Sequence, residues 1–290
     1  MSGDIFITGG SGNTGQALLR RILADPALKG AALTCLARPG GRRGNLERFP
    51  VRIVEGDSSD AASLGRAYGG EPTVIHISSI FHADEVLRGC RGMERLIAIS
   101  STGVFSRYRS LAGSIAAGER AIERSGVPYT ILRPTMIYGS PADRNISRLI
   151  QLVRRSPVIP LLGGGGSTFQ PVHVDDLASC IVASLERPAS AGKTYNIPGG
   201  SAHTLKEIVS IIAELLGKRV VTIPVPFAAA DAAVRLYERF ASRPRLRREQ
   251  ILRLREDKSY DISEAARDLG YAPMPFPVGI GRQIALMGFA

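Results

Sequence analysis

Three glycines set the strongest constraint on this chain. An apolar run, Asp4–Thr8, leads into Thr8-Gly9-Gly10-Ser11-Gly12-Asn13-Thr14-Gly15, and a helical pattern follows over Gln16–Ala24 with Ala17, Leu18 and Ile22 on its inner side. Each glycine has a separate physical reason. Gly9 permits the tight turn out of the strand, Gly12 lets backbone approach an anion at the positive end of the helix, and Gly15 lets the helix lie close on the strand. A strand, this spacing and a helix predict a site where backbone amides cradle a dinucleotide pyrophosphate, with Gly9, Gly12, Asn13, Thr14 and Gly15 as its contacts.

The rest of the chain repeats the alternation. Further strands are expected at Ala32–Ala37, Val51–Val54, Thr73–Ile77, Leu96–Ser100 and Tyr129–Arg133, with helices at Ser59–Tyr68 and Leu111–Arg124. These strands are continuously apolar, as strands covered on both faces are. The expected fold is α/β, a Rossmann-type doubly wound parallel sheet with a smaller C-terminal substrate lobe. Residues 1–140 form the dinucleotide-binding domain, and residues 141–290 form mainly the lobe, interleaved with the last sheet strands. Beyond Pro134 the patterns predict helices at Asn145–Arg155, after Asp175 or Asp176, after the capping box Thr204–Glu207, at Ala228–Ala241 and at Ser263–Leu269. Short strands are expected at Pro171–Val174, Thr194–Ile197 and Val220–Ile223.

Composition narrows the function. Apolar residues make up 44% of 290, enough for a full core, and no apolar run is long enough for a membrane span. The three cysteines are scattered and the four histidines unclustered, so no metal site or disulfide framework is expected. With no signal-peptide pattern at the start, a reducing, cytoplasmic location is expected. Thirty-seven basic against 26 acidic residues give a net charge of +11, which favours a small anionic ligand. Much of the excess lies late, in Arg235, Arg239, Arg243, Arg245, Arg247, Arg248, Arg253 and Arg255. A solvated face is one reading of this cluster, a phosphate pocket another, and a membrane-surface role a third. Aromatics are only 6% and no binding motif is present, so nucleic acid is not expected. A homodimer stays open.

The cofactor type is read after the second strand. NAD-binding chains place an acid there for the ribose 2′-hydroxyl. Here the segment reads Ala37-Arg38, with Arg42 and Arg43 close behind. Guanidinium suits a 2′-phosphate, so NADP is expected over NAD, held by Arg38 and Arg43.

Further segments match a family in order: Gly56-Asp57-Ser58, His76-Ile77-Ser78-Ser79, Ser100-Ser101-Thr102-Gly103, Leu132-Arg133-Pro134-Thr135-Met136-Ile137-Tyr138-Gly139 and Pro171-Val172-His173-Val174-Asp175-Asp176. With the glycine loop, they resemble the short-chain dehydrogenase/reductase superfamily in its extended or atypical branch, and most of all the NAD-dependent epimerase/dehydratase family. The resemblance implies hydride transfer on a nucleotide-linked sugar or a similar substrate. It puts Asp57 and Ser58 near the adenine, Ser78 along the ribose and Pro134 beside the nicotinamide. It makes Ser101 the hydroxyl that holds the substrate oxygen, and places Arg144, Arg148 and Gln170 in substrate-contacting segments. His82, just after the fourth strand, is a further substrate candidate.

The pattern breaks at the proton-transfer pair. The family uses a tyrosine with a lysine one helical turn on, whose ammonium lowers the phenol's pKa. Aligned on Gly118-Glu119 and Gly126, those positions hold Leu111 and Ile115. Three readings follow: Tyr108 acts from a rearranged loop with Arg107 or Arg109; another group such as Tyr138, His82 or Glu119 serves; or the chain is a non-catalytic NADP(H)-binding sensor or scaffold.

Overall fold

The computed structural model describes residues 3–240 and 248–289; Arg243, Arg245 and Arg247 lie outside the described residues, as does the side chain of Arg109. The first half alternates as β1 Ile5–Thr8, α1 Asn13–Leu23, β2 Leu33–Ala37, β3 Arg52–Glu55, α2 Ala61–Ala67, β4 Thr73–His76, α3 Ala83–Gly89, β5 Arg95–Ile99, α4 Arg109–Arg124 and β6 Tyr129–Pro134. Then come β7 Ile137–Tyr138, α5 Ile146–Arg155, β8 Val158–Leu162, β9 Thr168–Phe169, β10 Val172–His173, α6 Val174–Glu186, β11 Lys193–Ile197, β12 His203–Thr204, α7 Leu205–Leu215, β13 Val221–Val225, α8 Phe227–Phe240, α9 Arg248–Leu252, α10 Ser263–Leu269 and α11 Phe276–Leu286.

The main sheet has seven parallel strands in the order β11-β6-β5-β4-β1-β2-β3. Along β1, Ile5 and Ile7 face one layer and Phe6 the other. The first layer joins them to Leu18 and Ile22 of α1, Leu177 and Ile181 of α6, and Leu269 of α10. The second joins Phe6 to Leu64 of α2, Val86 of α3, and Ile115 and Ile122 of α4. Burial of each such side chain contributes about 1.5–3 kcal/mol, which explains why the strands carry no alternation.

A third core, around Tyr138, Ile150, Leu161, Ile212 and Ile280, belongs to the lobe. The sheet reclaims α6, β11 and α10 from the second half of the chain, so the lobe is discontinuous in sequence.

Some expectations need correction. The strand expected over Pro171–Val174 is the two-residue β10, and α6 is capped by His173, whose Nδ1 accepts from the Asp175 amide, not by Asp175 or Asp176. Helices α3 and α11 and strand β8 had no counterpart in the sequence reading. Helix α11 carries Pro277, Gly279 and Gly281, poor helix formers that packing overrides. At Gly279 the reason is visible: a Cβ there meets Tyr138 Oη at 2.1 Å. The capping box of α7 is present as expected, with Thr204 and Glu207 exchanging hydrogen bonds of 2.7 and 3.1 Å.

Candidate dinucleotide and oxygen-handling site

The strand order reverses between β1 and β4, and the crevice beyond their carboxyl ends is where ligands bind in open α/β sheets. Gly9 has φ +77°, a left-handed conformation, and a Cβ on it meets the Ser78 amide nitrogen at 2.8 Å. The two strand ends therefore touch backbone to backbone. A Cβ on Gly15 meets Gly9 O at 2.4 Å, so α1 is pressed onto the turn. The Gly12 amide closes the turn on Gly9 O at 3.1 Å. Gly12 is the N-cap of α1, no side chain caps it, and no acid stands in the first turn. The first-turn amides and the helix dipole are thus left for an anion.

The crevice encloses about 600 Å³, and Gly12, Asn13, Thr14, Arg38, Arg42 and Arg144 are among its walls. Arg38 also approaches Asp57, at 3.7 Å. The backbone and side chain of Ser59, then Arg38, hold the Asp57 carboxyl below its usual range. Arg43 is turned away, toward Glu47 at 3.4 Å and Glu55 at 3.3 Å, so the second guanidinium on the crevice belongs to Arg42.

Beneath the crevice lies a network of short polar side chains. The imidazole of His76 donates from Nε2 to Ser79 O at 2.6 Å and accepts at Nδ1 from Thr8 Oγ1 at 2.8 Å. Burial pushes its pKa down to about 4, so the ring is neutral. Ser78 Oγ donates to Ser58 Oγ at 3.0 Å, and Ser58 Oγ meets His82 Nδ1 at 3.3 Å. His82, expected at the substrate, thus joins this network beneath the crevice.

Four more of the expected residues are placed as follows. Gln170 is buried; its side chain donates to Gly199 O at 2.7 Å and accepts from the Tyr260 amide at 2.9 Å, which leaves it a clasp between segments. Arg148 is exposed on α5. Glu119, a candidate for proton transfer, is only 3% exposed and fully engaged. Arg133 Nε and Nη2 donate to its two oxygens at 2.8 and 2.6 Å, and Ser100 Oγ donates at 2.5 Å. Tyr138 is wedged between His173 and Phe276, and burial pushes its phenol up.

At the end of β5, Ser101 Oγ accepts from the Gly103 amide at 3.0 Å, capping a short turn. Tyr108 is the N-cap residue of α4. Ile115, at the vacant lysine position, is core; its Cδ1 lies 3.0 Å from where a Gly103 Cβ stands. Pro134 ends β6, and its carbonyl accepts from Thr102 Oγ1 at 3.4 Å.

The structure brings an unforeseen segment to this edge. Lys258 pairs with Phe169 as an extended bridge, its amide donating to Thr168 O at 2.9 Å. Extended geometry sends Lys258 and Tyr260 to one face. The Tyr260 ring lies 5.5 Å from that of Phe105, and its phenol is close enough to Thr102 and Arg253 to be influenced by both. Arg253 comes within 3.7 Å of the Gly103 Cβ position. Glu256 accepts from Ser106 Oγ at 3.0 Å and from the Arg107 amide at 2.8 Å, which pins the segment down. Burial raises the Tyr260 pKa, the nearby Thr102 side chain and Arg253 offset part of that rise, and Glu256 adds to it. The sequence offered only a Lys-x-Tyr spacing in a loop, with no marker that it folds back on β5.

Fold and crevice together define a dinucleotide-binding α/β protein. The family model for NAD(P)H-binding proteins matches residues 9–188, and the chain belongs to that family. Among curated relatives, ceramide reductase of Caulobacter vibrioides is 29% identical, over 77% of this chain and 74% of its own length. The 2-alkyl-3-oxoalkanoate reductase of Stenotrophomonas maltophilia is 24% identical, over 93% and 94%. The triphenylmethane reductase of Citrobacter sp., solved with NADP(H), shares the fold with a TM-score of 0.76 at 20% identity, over 97% of this chain and 99% of that one.

Proposed function

We propose that the chain is an NADP-dependent oxidoreductase that reduces the carbonyl group of a largely apolar substrate bearing an anionic end. The glycine cradle and uncapped α1 fit the pyrophosphate, and Arg38 and Arg42 fit a 2′-phosphate. A nicotinamide dinucleotide held there supplies the hydride.

The observation that carries the substrate reading is at the carboxyl edge of the sheet. Phe81 and Phe105, in the turns after β4 and β5, are 50% and 49% exposed. Two large aromatics left in water on the ligand edge suit an apolar substrate. The names of the two curated relatives, a ceramide reductase and an alkyl-oxoalkanoate reductase, point the same way. A nucleotide-linked sugar is the second reading, favoured by Arg144 on the crevice wall.

Tyr260 takes the place of the missing family tyrosine. The phenol is protonated at neutral pH and can donate to a carbonyl oxygen that gains negative charge, while the nearby Arg253 works against the rise in its pKa that burial causes. Arg253 supplies positive charge near it, against the negative charge of Glu256. The three free, buried cysteines suit a reducing compartment.

The test is calorimetry with NADPH and NADH, then turnover against long-chain 3-oxo compounds and nucleotide sugars. Tyr260→Phe is expected to lower kcat by about 100-fold or more while leaving NADPH affinity unchanged. Tight NADPH binding without turnover on either panel overturns the enzyme reading in favour of a sensor. Full activity of Tyr260→Phe removes this residue from the chemistry.

A further inference from the structure

Helix α8 has two faces of unexpected kind. At 100° per residue, Phe227, Ala230, Asp231, Val234 and Glu238 share the inner side, where Val234 is 5% exposed. The opposite side carries Ala229, Ala232, Ala233, Leu236 and Phe240, all exposed; Leu236 is 60% and Phe240 78% exposed. A surface helix of a globular protein ordinarily turns polar residues outward. Here the outward stripe is apolar and ends on a nearly bare phenyl ring, and Arg235 and Arg239 flank it on one side.

Positive charge is concentrated in the sequence that runs from α8 into α9. From Arg235 to Arg248 the sequence holds Arg235, Arg239, Arg243, Arg245, Arg247 and Arg248, and Glu238 is the one acid among them. Asp231 from the preceding turn takes up part of this charge, bonding Arg235 at 2.8 Å and Arg248 at 2.5 Å. These pairs, with the Arg248 amide donating to Glu238 at 3.0 Å, fasten α9 to the inner side of α8 and leave the outer stripe uncovered by them.

We propose that this outer stripe docks the protein on an anionic lipid surface, Leu236 and Phe240 entering the headgroup boundary and the arginines meeting lipid phosphates. Apolar side chains bracketed by arginines are what an interfacial helix needs: each supplies a part of the affinity that the other lacks. A second copy of this chain is a poorer occupant, since it carries the same +11 and the same arginines to the contact. Helix α9, on the inner side of α8, leads toward the oxygen-handling edge. Arg253, just after α9, comes within 3.7 Å of the Gly103 Cβ position. The docking itself rests on α8 alone and stands or falls apart from turnover.

The test is co-sedimentation of the full chain with vesicles of phosphatidylcholine alone and of phosphatidylcholine mixed with phosphatidylglycerol, at low and high salt. The expected result is binding to the mixed vesicles, little to the neutral ones, and release by salt. Leu236→Asp and Phe240→Asp are each expected to weaken binding by at least about tenfold, with NADPH affinity and thermal midpoint unchanged. Four results overturn the proposal: no binding to mixed vesicles, equal binding to neutral ones, Asp variants that bind like the parent, or a solution dimer that Leu236→Asp splits. Failure of turnover with vesicle binding intact counts against the enzyme reading only.

Discussion

Gly15→Ala probes the cradle most directly. The added Cβ lies 2.4 Å from Gly9 O, 2.5 Å from Gly10 Cα and 2.5 Å from Gly10 O, all backbone atoms of the turn itself. None of these can swing aside as a side chain does. The helix must retreat by roughly 0.6 Å to reach the 3.0 Å below which real Cβ contacts essentially never fall. A hydrogen bond near ~2.9 Å stretched by that amount leaves the useful range. Each amide bond to a charged oxygen contributes about 1.5–3 kcal/mol, so loss of two weakens NADPH binding by about 100-fold or more. Fold stability falls less, by about 1–3 kcal/mol, the usual cost of overpacking. Calorimetry with NADPH and a thermal melt separate the two effects. Gly113→Ala is the control: a Cβ there meets nothing within 4 Å on α4, and about 1 kcal/mol of stabilisation is expected. If Gly15→Ala binds NADPH within about threefold of the parent, the pyrophosphate does not sit on the α1 amides and the reasoning fails.

Three further outcomes are expected. Arg38→Ala weakens NADPH about tenfold or more and NADH little, read by parallel calorimetry, because only NADPH carries the 2′-phosphate; an equal loss for both removes Arg38 from the discrimination. Glu119→Gln leaves Arg133 without its buried counter-charge and lowers unfolding free energy by about 3–5 kcal/mol in urea; a loss under about 1 kcal/mol contradicts a buried pair. The third concerns pH: His76 is neutral in the fold, its pKa pushed from 6.5 to about 4 by burial. Between those values the unfolded chain binds the extra proton, so this contribution is whole above about 6.5 and is lost as pH falls toward 4, about 3 kcal/mol in all. Urea titrations of the parent and His76→Gln across that window are expected to converge at the acid end; parallel curves contradict the assignment.

What was legible in the sequence is local. Gly9, Gly12 and Gly15 specify a backbone conformation and two close approaches that only glycine allows, and such demands are written in the residues that meet them. Ile5, Phe6 and Ile7 announce a strand buried on both faces because burial leaves no room for alternation. The absence of the proton-transfer pair is equally plain in Leu111 and Ile115. Tertiary structure decided what depends on partners far along the chain. Arg42 and Arg43 are chemically alike, and only the positions of Glu47 and Glu55 turn Arg43 away. Glu119 reads as a candidate acid until Arg133 and Ser100 occupy its oxygens. Gln170 reads as a ligand contact until Gly199 and Tyr260 claim its amide. Tyr260 sits in a segment with no periodicity. Its place beside Thr102 comes from a bridge to β9 and a clasp through Glu256, contacts that span more than eighty residues of chain and leave no local trace.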